Sequence, residues 1–232
     1  MAKEKSLESE VGGYISTVLR THFGKGPTSV YVTFRHPFIT IYFRGFLAPM
    51  EKLQVKQGES TRVLATRDLM MLDLNPEISQ GLREVAGLEI KELYADWHLL
   101  EETGMIIGVV EEEATDIPEN WPDDSNPEAV RGEIIEASNK AEKVPGRTDI
   151  YWLSDRTILI RRSGILVRIE KELIKNGLAE ELKLSKRPLE HEVLGEVQLE
   201  DALKRTISEI FVDWDFEHDV SFIVVVLEPR ER

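Results

Sequence analysis

The residues best placed to do chemistry in this chain sit in two similar stretches. YADWHLLEETGMIIGVVEE runs from Tyr94 to Glu112, and FVDWDFEHDVSFIVVVLEP from Phe211 to Pro229. Each sets an Asp beside a Trp ahead of an apolar strand. In strand alternation Leu93, Ala95, Trp97 and Leu99 share one face, as do Ile210, Val212, Trp214 and Phe216. Asp96 and Asp213 then point to the other face, where either could line a cleft. The simpler reading is a core Trp beside a partly exposed Asp. The next position differs, His98 against Asp215, so chemistry there is not shared.

Other candidates are weaker. GKGP, Gly24 to Pro27, could offer backbone amides to an anion, but it lacks phosphate-loop spacing and reads better as a helix stop. Glu51-Lys52 and Glu170-Lys171 each open a helix, where Glu suits the positive end of the dipole; catalysis would need a third partner. His22, His36, His98, His191 and His218 are scattered without ligand spacing, and EHD at Glu217 to Asp219 reads as a solvated turn, so no metal site is expected. Arg35 and Arg44 in the first half, and Arg161, Arg162 and Arg168 in the second, could receive an anion or an acidic partner, or form a solvated face. No hydrolase elbow, dinucleotide fingerprint or Walker pattern occurs. Catalytic residues and cofactors are expected to be none. Arg44, Asp96, His98 and Asp213 remain as ligand or interface candidates.

Composition narrows the classes. The 232 residues are 41% hydrophobic, enough for a buried core, and contain no Cys, which removes disulfides and thiolate chemistry and is compatible with a reducing cytoplasm. A formal charge of −14 argues against nucleic acid and anionic lipid. The longest apolar run, Val220 to Leu227, is too short to cross a bilayer, and the charged N-terminus is no signal peptide, so a soluble, cytoplasmic protein without membrane insertion is expected. Between Glu111 and Glu128 stand eight acidic residues, three prolines and no basic residue, the composition of an extended, solvated linker; Trp121 within it could dock on a neighbouring domain.

The linker separates two copies of one pattern. Trp97 and Trp214 lie 117 positions apart, and the match continues through the following strand. GFLAPMEKLQVKQG from Gly45 matches GILVRIEKELIKNG from Gly164 at 119, and SVYVTF from Ser29 matches DIYWLS from Asp149 at 120. In the first copy Leu7 to Phe23 has helical spacing and ends at GKGP; Val30 to Phe34 and Phe38 to Phe43 form a hairpin across RHP. Pro49 opens a helix from about Met50 to Leu74, Pro76 starts a second helical piece ending at Gly87, and two strands follow. The expected fold is α+β: two tandem repeats, each helix, two strands, long helix, two strands, making a four-stranded, mostly antiparallel sheet with helices on one face. The expected domains are residues 1–112, a linker at 113–127, and a second copy at 128–232. The second copy's first helix, Pro127 to Lys143, has few apolar positions and is expected to be short or poorly packed.

FGKGPTSVYVTFRHPFITIYFRGFLAPMEK, Phe23 to Lys52, with Arg67, Pro76 and Gly87 beyond it, resembles the signature of the MpsC-like family over about Leu7 to Glu112. The second copy is a degenerate version, without GxGP and with Arg168 in place of Pro49. The family is named for a component of a sodium-translocating, membrane-potential-generating system. The resemblance implies a small soluble protein, in some members associated with membrane subunits that couple sodium or proton movement to inorganic-carbon uptake. It carries over no catalytic residue. The expectation is a non-enzymatic accessory or regulatory protein with a protein partner, such as a membrane ion-transport subunit, and with its repeats forming an intramolecular pseudo-dimer. The alternative is a small-ligand sensor or enzyme with a pocket between the repeats, using Arg44, Asp96, His98 or Asp213.

Overall fold

The structure is a computed structural model, and it describes residues 6–110, 121–122 and 125–230. The chain divides into two compact units, Met1–Asp116 and Ile117–Arg232. Most of the acidic linker lies outside the described residues.

The first unit runs α1 (Leu7–Phe23), β1 (Ser29–Arg35), β2 (Phe38–Arg44), α2 (Pro49–Lys56), α3 (Ser60–Ala86), β3 (Ile90–His98) and β4 (Thr103–Val110). The second runs α4 (Pro127–Ala141), β5 (Arg147–Ser154), β6 (Thr157–Ser163), α5 (Arg168–Lys175), α6 (Ala179–Glu196), α7 (Leu199–Leu203), β7 (Ile207–Asp215) and β8 (Val220–Leu227). The sheets have the same order, β1-β2-β4-β3 and β5-β6-β8-β7, and every pairing is antiparallel. This is the expected α+β architecture with two equivalent repeats.

Each sheet meets its helices through alternate side chains. In the first repeat Ile39, Ile41, Phe43, Ala95, Trp97 and Ile106 join Val11, Ile15, Leu19, Met71 and Ile78 from the helices. In the second, Ile158, Ile160, Val212, Trp214 and Ile223 join Val130, Ile134, Val193 and Leu199. Trp121 packs on Trp152 with ring centroids 5.4 Å apart, so the linker tryptophan belongs to the second repeat's core.

Four local expectations are corrected. The helix expected from Met50 to Leu74 breaks after Lys56, where Gly58 takes φ 84°, and Gly177 does the same at φ 79° in the second repeat. Pro76 does not divide α3, which continues to a left-handed Gly87. Pro76 is exposed, so water can reach the carbonyl that loses its donor. Helix α4 is 15 residues long and well seated: Val130, Ile134 and Ala137 are buried, and Asn126 caps it by accepting from the Ala129 amide at 3.1 Å. Three apolar side chains on one stripe are sufficient for a helix two turns deep in contact. Finally, the first strands align at 118 and the second strands at 119, because Ser29 pairs with Arg44 while Arg147 pairs with Ser163. A slip of two residues keeps every side chain on its face, so the strand pattern could not distinguish 118 from 120. An irregularity between Trp152 and Ser154 takes up the remaining residue.

Gly104 of β4 lies under the Phe43 ring, and a Cβ there would come within 2.5 Å of it. Gly104→Ala should therefore lower stability by about 1–3 kcal/mol in urea denaturation. Gly132→Ala, at an exposed position of α4 with nothing within 4 Å of the new carbon, should instead hold or raise stability by up to about 1 kcal/mol.

Candidate functional site

Both repeats bury a cation at the same place. The third residue of the short helix is a glutamate, Glu51 or Glu170, whose carboxylate accepts from the backbone amide ahead of the helix: Ala48 at 2.8 Å and Val167 at 2.9 Å. The same carboxylate receives a cation from the next helix. Arg67 Nη2 lies 2.7 Å from Glu51, and Lys186 Nζ lies 2.8 Å from Glu170. Each glutamate thus fastens the start of one helix to the middle of another. The adjacent lysine makes a second tie. Lys52 pairs with Glu102 and Lys171 with Asp219, both in the turn between the last two strands and both at φ 54°. Asp219 also accepts from the Ile165 and Leu166 amides at 2.7 and 2.8 Å, which corrects the expectation of a simple solvated turn.

The surroundings of the two cations differ. The Arg67 guanidinium lies over three rings, at 4.5 Å from Phe23, 4.2 Å from Phe46 and 4.7 Å from Trp97. Its flat, weakly hydrated group can be held by aromatic faces with one carboxylate. In the second repeat Glu142 stands where Phe23 does and Ile165 where Phe46 does. Lys186 is a compact charge and takes Glu142 and Glu170 as partners, with the Trp214 ring 5.8 Å away. Burial pushes Lys186 down from 10.5 to about 8, against the pull of Glu190 and Asp219. Burial also lowers Arg67, with Glu51 opposing it, and raises Glu170, with the Val167 amide opposing.

A second exchange lies next to the first. Arg162, 1% exposed, donates to Glu190 at 2.7 Å, Ser138 at 2.7 Å and Ser221 at 2.9 Å. The equivalent positions of the first repeat are Phe43, Met71, Leu19 and Gly104, an apolar cluster. Four residues from four elements have changed together, because a lone Arg or Glu in this core would lack a partner.

The residues chosen from sequence fall elsewhere. Arg44, Asp96 and His98 share the helix-free face of the first sheet, since their strand neighbours Phe43 and Trp97 face the helices. Arg44 and His98 are both paired with Thr103, so they stand two strands apart in one row. Asp96 lies in the next row, beside Met105 and Tyr42. The Arg44 Nε donates to the Tyr42 hydroxyl at 2.8 Å, and Tyr42 stacks on Tyr31 at 6.0 Å. Asp96 and Asp213 are buried, at 1% and 2% exposure, which corrects the expected partial exposure. Each accepts from the amide of its own tryptophan, Asp96 at 2.9 Å and Asp213 at 2.7 Å, on a strand at the edge of its sheet. An edge amide has no strand to pair with, and the preceding aspartate supplies the acceptor. Asp213 also binds Lys183 of α6 at 2.7 Å, where the first repeat has Leu64.

A family model described as Na+-translocating membrane potential-generating system (MpsC) matches residues 3–112. Over these residues the chain is similar to the MpsC family. Neither the curated proteins nor the solved structures hold a match to the chain. The MpsC match contains Glu51, Arg67 and all three rings around it. The second repeat lies beyond the matched residues, and its likeness to the MpsC repeat rests on shared element order and sheet order.

Sequence reasoning found the Glu-Lys pairs but missed the cation each glutamate holds. The signal was present, since Arg67 and Lys186 stand 119 positions apart, as the glutamates do. The four-residue polar exchange left no such mark, because its members share no motif.

Two measurements check this arrangement. Glu190→Met alone should cost about 3–5 kcal/mol by leaving Arg162 uncompensated, whereas the fourfold change Ser138→Leu, Arg162→Phe, Glu190→Met and Ser221→Gly should restore most of the loss in urea denaturation. Between pH 8 and the ordinary lysine range the unfolded chain binds more protons than the folded one at Lys186, so this group makes stability rise with pH across that window. Lys186→Met should remove that rise from the pH profile of the urea midpoint.

Proposed function

We propose that the chain is a non-enzymatic, cytoplasmic accessory or regulatory partner of a Na+-translocating, membrane-potential-generating system. The observation that carries this reading is the MpsC match over residues 3–112. Two features support it. No described helix is long and apolar enough to cross a membrane, so these helices are suited to serving an ion path supplied by another protein. The buried cations Arg67, Arg162 and Lys186 are bonded to side chains of their own repeat, which assigns them to holding the fold. Each repeat's sheet also has a helix-free face. Those faces are rich in apolar residues: Phe38, Tyr42, Met105 and Ile107 in the first, Leu159, Phe211, Phe222 and Val224 in the second.

Deleting the chain from its host should lower the sodium-dependent membrane potential, read with a potential-sensitive dye, and restoring it should recover the signal. Cross-linking in membranes should capture the tagged chain on a polytopic ion-translocating subunit. An unchanged potential together with recovery of the chain alone would sink this reading.

A further inference from the structure

Helix α3 carries an outward ridge that its counterpart lacks. Leu69 and Leu72 are 61% and 54% exposed, and Pro76 is exposed one turn further on. The spacing i, i+3, i+7 sets the three along one stripe of the helix, about 10 Å long. At the equivalent positions of α6 stand Pro188, His191 and Gly195. Both repeats build the same sheet and bury the inner sides of these helices, so the fold does not require leucines on the outside. Charge around the ridge is one-sided. From Asp68 to Leu82 the helix has three carboxylates and neither Lys nor Arg. Asp73 and Glu77 are exposed and follow one flank of the stripe, with His22 Nε2 of α1 3.0 Å from the Glu77 carboxylate.

We propose that the Leu69–Leu72–Pro76 ridge docks an amphipathic helical segment whose apolar stripe is flanked by Lys or Arg, as presented by the cytoplasmic loops of a membrane subunit. An apolar ridge at helical spacing matches a helix with leucines at the same spacing, and the flanking carboxylates select basic neighbours. Cytoplasmic loops of membrane proteins carry an excess of Lys and Arg. The net charge of −14 disfavours the anionic lipid surface itself as the occupant. The choice of a membrane subunit rests on the function proposed above; the choice of a basic amphipathic helix rests on the ridge.

The test uses the full chain and a labelled peptide of about 18 residues, with leucines at i, i+3 and i+7 and lysines along one flank. Fluorescence anisotropy should report saturable binding that weakens with salt, and a peptide with glutamates for the lysines should bind at least about tenfold less tightly. The variant Leu69→Ser/Leu72→Ser should lose at least about tenfold in affinity for the lysine peptide while keeping the wild-type melting curve. Leu72→His, which places there the residue found at position 191, serves as a second variant if the serine pair melts early. Equal binding of the lysine peptide to wild type and variants would overturn the proposal, as would equal binding of the two peptides. Sedimentation of a wild-type dimer that the variants dissolve would also overturn it, by assigning the ridge to a second copy of the chain. Peptide capture without any membrane subunit in cross-linking would leave the ridge standing and remove the proposed partner. Cross-linking to a membrane subunit that persists unchanged in the ridge variants would do the reverse.

Discussion

Both repeats depend on a positive charge held out of water between a short helix and the helix that follows it. A buried cation is tolerable only where a partner is fixed in place, and here the partner is a glutamate at the third position of the short helix. That glutamate is itself held by the backbone amide preceding the helix, so the position of α2 or α5 is set by the cation on α3 or α6. The tryptophan of the following strand closes over the same charge. Helix start, helix middle and sheet edge therefore meet at one point. The adjacent lysine extends the tie to the turn between the last two strands.

Two copies of this arrangement reveal what can vary. Around Arg67 the charge is balanced by one carboxylate and three aromatic faces; around Lys186 it is balanced by carboxylates, with one ring at greater distance. The exchange follows from the cations themselves, since a guanidinium can lie flat on rings and an ammonium is a point charge that keeps its need for oxygen. The neighbouring switch from Phe43, Leu19, Met71 and Gly104 to Arg162, Ser138, Glu190 and Ser221 obeys the same rule. Once one polar group enters the core, the others must follow. The matched family region keeps the apolar solution, and the second repeat carries the polar one.

The duplicated Asp-Trp has a structural explanation in both copies. The tryptophan fills the core, and the aspartate supplies its edge amide with an acceptor. This was half legible beforehand: alternation placed the tryptophan, but only the sheet order shows that β3 and β7 are edges and that their amides need a local acceptor. Likewise Arg44 and His98 are far apart in sequence, and the pairing of both with Thr103 brings them into one row. The helices were read less well where proline and glycine compete. Pro76 looked like a boundary and Gly58 did not, yet the chain continues through an exposed proline and turns at a left-handed glycine.

The sequence by itself determined the repeat, the α+β class and the resemblance of the first copy to the MpsC family. Those depend on periodic apolar positions and on motifs contiguous in the chain, which local sterics and strand alternation translate directly into elements. The tertiary structure decided which cation each glutamate holds, which four core positions changed together, and which leucines of α3 remain outside. Those are relations between residues separated by tens of positions, and their energy comes from burial, which a linear pattern does not contain.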